Sequence, residues 1–432
     1  MFIIARKKRI KLLIGACTLC AGIGIPLSLS ANESPINEPQ PEQPENTEAE
    51  TIAQVQIDPI TSYLDAIAHT EAENSAFAIE LADLYLSLGR THQNRNELED
   101  AKRAFQRGMQ IERVNNGLDS LSQTPYLYSI ADIESHLGNW KGSQKALEDL
   151  YLINAGHFGK DNPRMLPVLN NLLDWYLNSY YMRSPSAGYN NLVISERIAN
   201  RIGYILEEEV GLDHPDAPDY FRRISFVHYF IADHLKKYGE PSESGFSISA
   251  GENYSRSAKP TTSKLHFRLG RSALEKVVES LDKQENSSVS DQALAIAELG
   301  DWYLVFGQHQ SAKKAYNLAF EVLGEGEESD QLREKLFGQP QLIKFSAPEN
   351  TTGNTIKKTE SKLNVSMNIS PYGTPENIEI LNPPEDLEKK AINRVEKILR
   401  SQRFRPRLVD GEPVATQAYI LQHAITAQGS KS

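Results

Sequence analysis

"ELGDWYLVFGQHQSAKKAYNLAFEVL", Glu298 to Leu323, decides how this chain is read. Leu299, Gly300, Tyr303, Gly307, Ala312, Tyr316 and Ala319 stand at offsets 0, 1, 4, 8, 13, 17 and 20. The residues on either side of Gly307 have the spacing of a helix face, and Gly307 itself marks a turn. Small residues at the second and fifth places let two antiparallel helices approach closely, and larger ones fill the groove between them. "SIADIESHLGNWKGSQKALEDLYLI", Ser129 to Ile153, places Ile130, Ala131, Glu134, Gly138, Ser143, Leu147 and Leu150 at the same offsets.

Working outward, an earlier copy keeps Leu81, Ala82, Tyr85 and Gly89, then Ala101, Phe105 and Gly108, with seven extra residues between its two halves. Two more diverged copies, from "GKDNP" at Gly159 and "GLDHP" at Gly211, each open on Gly-x-Asp-x-Pro and run into a helix. In the second of these, residues 239–263 interrupt the helix pair and read as a long flexible loop. His214, within the opening, is expected to shape a turn. Trp140, Trp175 and Trp302 fall inside helix pairs and are expected in the core.

These offsets resemble the tetratricopeptide repeat, and the Gly-x-Asp-x-Pro openings resemble its longer, kinesin-light-chain type. The resemblance implies a mainly α superhelix over residues 57–345, with a concave surface that binds protein partners.

Charge is uneven along the chain. The first 30 residues carry five basic side chains and no acidic one. The remaining 41 basic and 57 acidic residues leave a net charge of −16, which disfavours nucleic acid as a partner. "RKKRIK" followed by an apolar run has the order of a secretory signal, with Ser28 and Ser30 suited to cleavage before Ala31. Two other readings of residues 1–30 stay open: an uncleaved membrane anchor within residues 12–30, and a lipoprotein signal ending at Cys17. All three place the body outside the cytoplasm, in a bacterial periplasm, either soluble or anchored to the inner membrane. Both cysteines, Cys17 and Cys20, lie in this stretch, so thiol chemistry is not expected in the body. Residues 31–56 form a Pro/Glu-rich spacer.

Beyond a linker at 346–362 the periodicity changes from 3.6 to 2. "LNVSMNIS" alternates Leu363, Val365, Met367 and Ile369 with polar residues, as a half-buried strand does. "ENIEIL" reads as a second strand, and Glu385 to Arg400 as an amphipathic helix with Leu387, Val395 and Leu399 in its apolar stripe. "RFRPRLVDGEPV", Arg403 to Val414, reads as a hairpin turning at Asp410-Gly411. Alternation points Phe404, Pro406 and Leu408 toward the helix and gathers Arg403, Arg405 and Arg407 on the other face. That face reads either as a charged protective edge or as a contact surface for an acidic partner. "TQAYILQ" closes the module, which spans 363–424 and leaves a tail at 425–432.

The order strand, strand, helix, strand, strand, together with "VSMNISPYGTPENIEIL" and "RFRP…DGEPV", resembles the TonB carboxy-terminal domain. The resemblance implies a small α+β domain that docks a protein by strand addition at its sheet edge. Gln417 and Tyr419 on the closing strand become candidate contact residues. Departures from TonB are the lack of a Tyr-Pro arm, the lack of a histidine in the apolar run, and the inserted repeats.

No HExxH, GxSxG, Walker or GxGxxG motif is present, and the SxxK match at Ser311 to Lys314 lies at the start of a repeat helix. The ten histidines show no ligand spacing along the chain, so neither a metal nor a cofactor is expected. The expected function is a non-enzymatic adaptor of the cell envelope, whose repeats and terminal module each bind a protein. A TonB-type energy transducer serving an outer-membrane transporter is the alternative.

Overall fold

The computed structural model describes residues 58–181, 185–239, 262–345, 360–383 and 389–426. Residues 1–56, nearly all of the 239–263 insertion, most of the 346–362 linker and the end of the tail lie outside them. Among the described residues, helices come first: α1 (Pro59–Glu73), α2 (Glu80–Asn94), α3 (Leu98–Asn116), α4 (Thr124–His136), α5 (Trp140–Phe158) and α6 (Leu166–Tyr181). They continue as α7 (Pro185–Tyr204), α8 (Ala217–Tyr238), α9 (Thr262–Lys283), α10 (Val289–Val305), α11 (His309–Val322) and α12 (Glu327–Phe337). α2 packs with α3, α4 with α5, α6 with α7, α8 with α9 and α10 with α11, and each pair stacks on the next. α1 packs on α2, while Leu336 and Phe337 of α12 close the core of α10 and α11.

The turn glycines make the pairs. Gly138 and Gly307 both take φ of +73°, which glycine adopts without steric cost. The amide after Gly307, of Gln308, donates to Tyr303 O at 2.8 Å, and Gly307 N–H donates to Leu304 O at 3.0 Å. Asn139 and Gly138 bond Glu134 O and Ser135 O in the same way, which caps orphan carbonyls at the helix end. Gly300 is needed for a different reason. A Cβ there would lie 2.5 Å from the ring of Tyr316 on the facing helix. Ala131, Ala312 and Ala319 are buried at the same close approach.

The first copy is in a different register from the one expected. Its turn residue is Asn96, with φ of +61° and the same bonds, Glu97 N–H to His92 O and Asn96 N–H to Gln93 O. Gly89 sits inside α2 against Phe105, where its absent Cβ would come within 2.6 Å of the ring, so it matches Gly300 and not Gly307. The copy therefore begins at Leu88 and Gly89, not at Leu81 and Ala82, and needs no extra residues. Seven residues are almost two helical turns, so the mistaken register falls on the same helix face. Ala82 and Tyr85 serve the next layers instead: Ala82 O accepts from Tyr126 Oη at 2.8 Å, and Tyr85 Oη donates to Glu71 at 3.4 Å. His214 shapes its turn through Nδ1, which accepts from the Asp216 amide at 3.2 Å.

The terminal module contains β2 (Glu360–Ile369), β3 (Pro375–Leu381), α13 (Lys389–Ser401) and β7 (Thr416–Thr426). Its antiparallel sheet has the order β3-β2-β7. Leu363, Val365, Met367 and Ile369 form one face and pack on Val395 and Leu399 of α13. Leu387 lies outside the described residues. Three shorter strands lie elsewhere: β4 (Phe404–Arg405), β5 (Arg407–Val409) and β6 (Glu412–Val414). Asp410 and Gly411, with φ of +50° and +80°, make the two-residue turn between β5 and β6.

Repeats and module are not separated at residue 345. β1 (Gln341–Leu342) follows α12 and pairs antiparallel with β4, Leu342 opposite Phe404 and Gln341 opposite Arg405. Leu342 packs in the module core, Ile343 against α10–α12, and Phe345 against the core of the earlier pairs. Five residues thus stitch three apolar clusters together.

A candidate protein interface

Two surfaces are candidates for protein binding, and a buried seam holds the terminal module against the last helix pair. The seam is made by the arginine hairpin. Arg405 donates from Nε to Asp301 Oδ1 at 3.0 Å and from Nη2 to Asp301 Oδ2 at 2.6 Å. Tyr316 Oη donates to the same Oδ1 at 2.8 Å, and the guanidinium lies 5.9 Å from the Phe337 ring centroid. Arg405 is only 4% exposed. Burial opposes its charge, and the Asp301 carboxylate outweighs that and holds it protonated. Burial first, then the charge of Asp301, raises the Tyr316 phenol well above its ordinary pKa, so it remains a donor.

This overturns the expected arginine face. Arg403 is partly buried, with Nη1 donating to Gln402 O at 2.8 Å, and Arg407 is partly buried in the β5–β6 ribbon. The three arginines do not share a surface. β4 is two residues long, ends at buried Pro406, pairs only with β1 among the described residues, and is buried rather than presented at a surface. Its two side chains go to opposite layers: Phe404 into the module core and Arg405 into the repeats. Leu408 does not face α13 either. It packs among Tyr316, Leu336 and Phe337. Full burial of Phe404 and Leu408 contributes on the order of 2 kcal/mol each. Lys313 of α11 pairs with Glu412 at 2.5 Å, and Gly373 N–H and C=O lie in the same seam, the carbonyl accepting from Phe404 N–H at 2.9 Å.

The first surface is the outer edge of β7. β7 pairs with β2 on one side and has no strand on the other among the described residues. A bulge interrupts the ladder: Met367 faces Tyr419 and Ile369 faces Thr416, and Asn368 Oδ1 accepts from Ala418 N–H at 3.0 Å. The structure separates the two candidate residues of this strand. Gln417 is exposed beside the bulge. Tyr419 turns inward, with its ring 6.0 Å from Phe404, and burial raises its phenol pKa. Ile420, which the sequence reading passed over, is 59% exposed on the other face. Strand alternation could have found it, but only with the bulge known.

The second surface is a groove between α5, α6 and α7, of about 230 Å³, lined by Tyr151, Leu172, Tyr176, Ile194 and Arg197 among others. Tyr176 Oη donates to Glu148 on its rim at 2.9 Å. Further along, α8–α10 carry an aromatic face that the chain itself covers: Phe345 stacks on Tyr229 at 4.5 Å and meets Trp302 edge-on at 5.7 Å.

Two of the histidines, far apart in sequence, come together in space. His228 of α8 and His266 of α9 are buried side by side, with Glu196 of α7 nearby. Burial, then the neighbouring ring, pushes His228 down to about 3, and burial lowers His266, so both are neutral at neutral pH. Each lies on a different helix, so no sequence spacing could show the grouping. Among the described residues no helix is long and apolar enough to cross a membrane.

The chain matches no family model and no curated protein. Among solved structures it is similar to a putative kinesin light chain with nearly identical TPR-like repeats from Podosopora anserina. That match has 14% identity over 59% of this chain and 97% of the other, with a TM-score of 0.37. It is also similar to BtubC (BKLC) from P. vanneervenii, at 11% identity over 62% of this chain and 91% of the other, with a TM-score of 0.35. The stacked helix pairs themselves rest on the packing described above.

Proposed function

We propose that this protein is a non-enzymatic interaction adaptor of the bacterial cell envelope, which docks one protein on its helical repeats and a second on the edge of its terminal sheet. The observation that carries the reading is β7: an eleven-residue strand, open on its outer side, on a module held firmly against the last helix pair. Such an edge accepts an extended segment of another protein as an added strand, with main-chain bonds giving affinity. The terminal module's strand-strand-helix-strand order supports a TonB-like relationship, and the groove of α5–α7 supports a peptide site in the repeats. The envelope assignment rests on residues 1–30, whose basic flank and apolar run read as an export signal.

Photo-crosslinking in cells tests the proposal, with probes at Gln417 and Ile420 on β7 and at Arg197 in the groove. Recovery of distinct envelope proteins from the two surfaces is the expected result. Recovery of an outer-membrane transporter at β7, with a retained membrane anchor, would replace the adaptor by an energy transducer. No crosslinks from either surface, or a cytoplasmic location on fractionation, would defeat the reading.

A further inference from the structure

Glu196, His228 and His266 lie on three successive helices and each offers one ligand atom, all within 4.8 Å of one another. His228 Nδ1 is 3.0 Å from His266 Nδ1, and His266 Nδ1 is 3.7 Å from Glu196 Oε1. The two rings are 2% and 3% exposed, and the carboxylate is 26% exposed. A hydrogen bond between two imidazoles accounts for the first distance. It does not account for a carboxylate gathered onto the same nitrogen, at a distance too long for a hydrogen bond.

A tetrahedral zinc ion with bonds of about 2.0–2.1 Å holds its ligand atoms about 3.4 Å apart. Two of the three separations bracket that spacing and the third lies within 4.8 Å, so side-chain shifts of about 1 Å would seat the ion. We propose that these three residues form a mononuclear site for a divalent ion of the zinc class. Two imidazoles and one carboxylate suit zinc and disfavour magnesium and calcium, which prefer all-oxygen shells. The three protein ligands leave a fourth position on the partly open Glu196 side, which water fills. The ion ties α7, α8 and α9 together at the helix pair whose connection carries the long insertion, and so fixes the relation of two neighbouring repeats.

The test uses the purified full chain, stripped with chelator and dialysed. Zinc chloride is titrated by calorimetry, and cobalt(II) is added separately as a spectroscopic probe. The expected results are one tight equivalent per chain, a rise in melting temperature on adding zinc, and a strong visible cobalt band of a tetrahedral site with nitrogen ligands. Glu196→Gln keeps the side-chain size, and it should weaken zinc binding tenfold or more without lowering the melting temperature of the metal-free chain. His266→Gln should abolish the cobalt band. The proposal falls if wild-type protein binds no zinc equivalent, if Glu196→Gln and His266→Gln bind as tightly as wild type, or if cobalt gives only the pale spectrum of an octahedral, weakly held ion. Should His266→Gln fail to fold, the wild-type cobalt spectrum and the Glu196→Gln titration decide alone.

Discussion

Arg405 of the terminal module and Asp301 of α10, 104 residues apart in sequence, form a two-pronged buried ion pair. Removing one partner strands the other charge in a poorly solvated site. Asp301→Ala should therefore cost about 3–5 kcal/mol, more than the pair itself is worth. Replacing both, as Asp301→Leu with Arg405→Met, should recover most of that loss because it removes two desolvation penalties together. Urea denaturation of Asp301→Leu, Arg405→Met and the double variant gives the comparison. A double-variant loss equal to the sum of the two single-variant losses would show that the charges do not act as a pair.

Gly373 is the tightest point of the same seam. Its φ is +68°, and an added Cβ would lie 2.0 Å from Phe404 O and 2.8 Å from Leu304. Gly373→Ala should lower stability by about 1–3 kcal/mol, through left-handed strain together with displacement of Phe404. A melting temperature equal to that of wild type would mean that module and repeats are not seated as described.

The register of the first helix pair has its own test. Asn96 lies at the left-handed turn, where glycine and asparagine are the residues the backbone accepts most readily. Asn96→Ala should cost about 1 kcal/mol, and Asn96→Gly should cost less than Asn96→Ala. Gly89→Ala should be the more damaging change, because of Phe105. If Asn96→Ala proves silent, the turn lies elsewhere.

Alkaline pH should loosen the contact between Phe345 and the repeats. Burial, then the Asp233 charge, raises the phenol of Tyr229 to about 12 from its ordinary value of 10.0. The folded state therefore holds the proton more tightly than the unfolded one. Its stabilising effect is complete below pH 10 and declines as pH rises toward 12. The loss from this one group is on the order of 2 kcal/mol. Tyr229→Phe should flatten the fall in stability over that range, read by denaturant melts at a series of pH values.

Ile420→Lys should leave folding intact and abolish strand addition at β7, since the residue is 59% exposed and a charged edge discourages pairing. Unchanged crosslinking at Gln417 in this variant would place the partner off the β7 edge.

The helix pairs were legible because their periodicity is local and repeated. Gly138 and Gly307 announce their turns within a few residues, and the Gly159 and Gly211 openings do the same. Gly117, with φ of +90° before Leu118 and Asp119, begins another copy of that opening that the sequence reading missed because its fifth residue is not proline. The first register failed on a periodicity that cannot distinguish a shift of seven. The hairpin turn at Asp410-Gly411 was legible for the same local reason, but the destinations of Arg405 and Leu408 were not. Alternation tells which side chains share a side of a strand, not what lies on that side, and β4 proved to be a buried two-residue strand paired with Gln341 and Leu342, far earlier in the chain. The grouping of Glu196, His228 and His266 was invisible for a stronger reason: it exists only once three helices have packed.

The pairing of β1 with β4 also sets an order of events during synthesis. Gln341 and Leu342 leave the ribosome well before Phe404 and Arg405, and the packing of α10–α12 lacks Leu408 until most of the terminal module has been made. For that interval Asp301 has no guanidinium and Tyr316 and Phe337 stand open to water. The last helix pair thus stays incomplete until the terminal module has been made, and a chain that stops before residue 408 carries a defect in its repeats as well as in its terminal module.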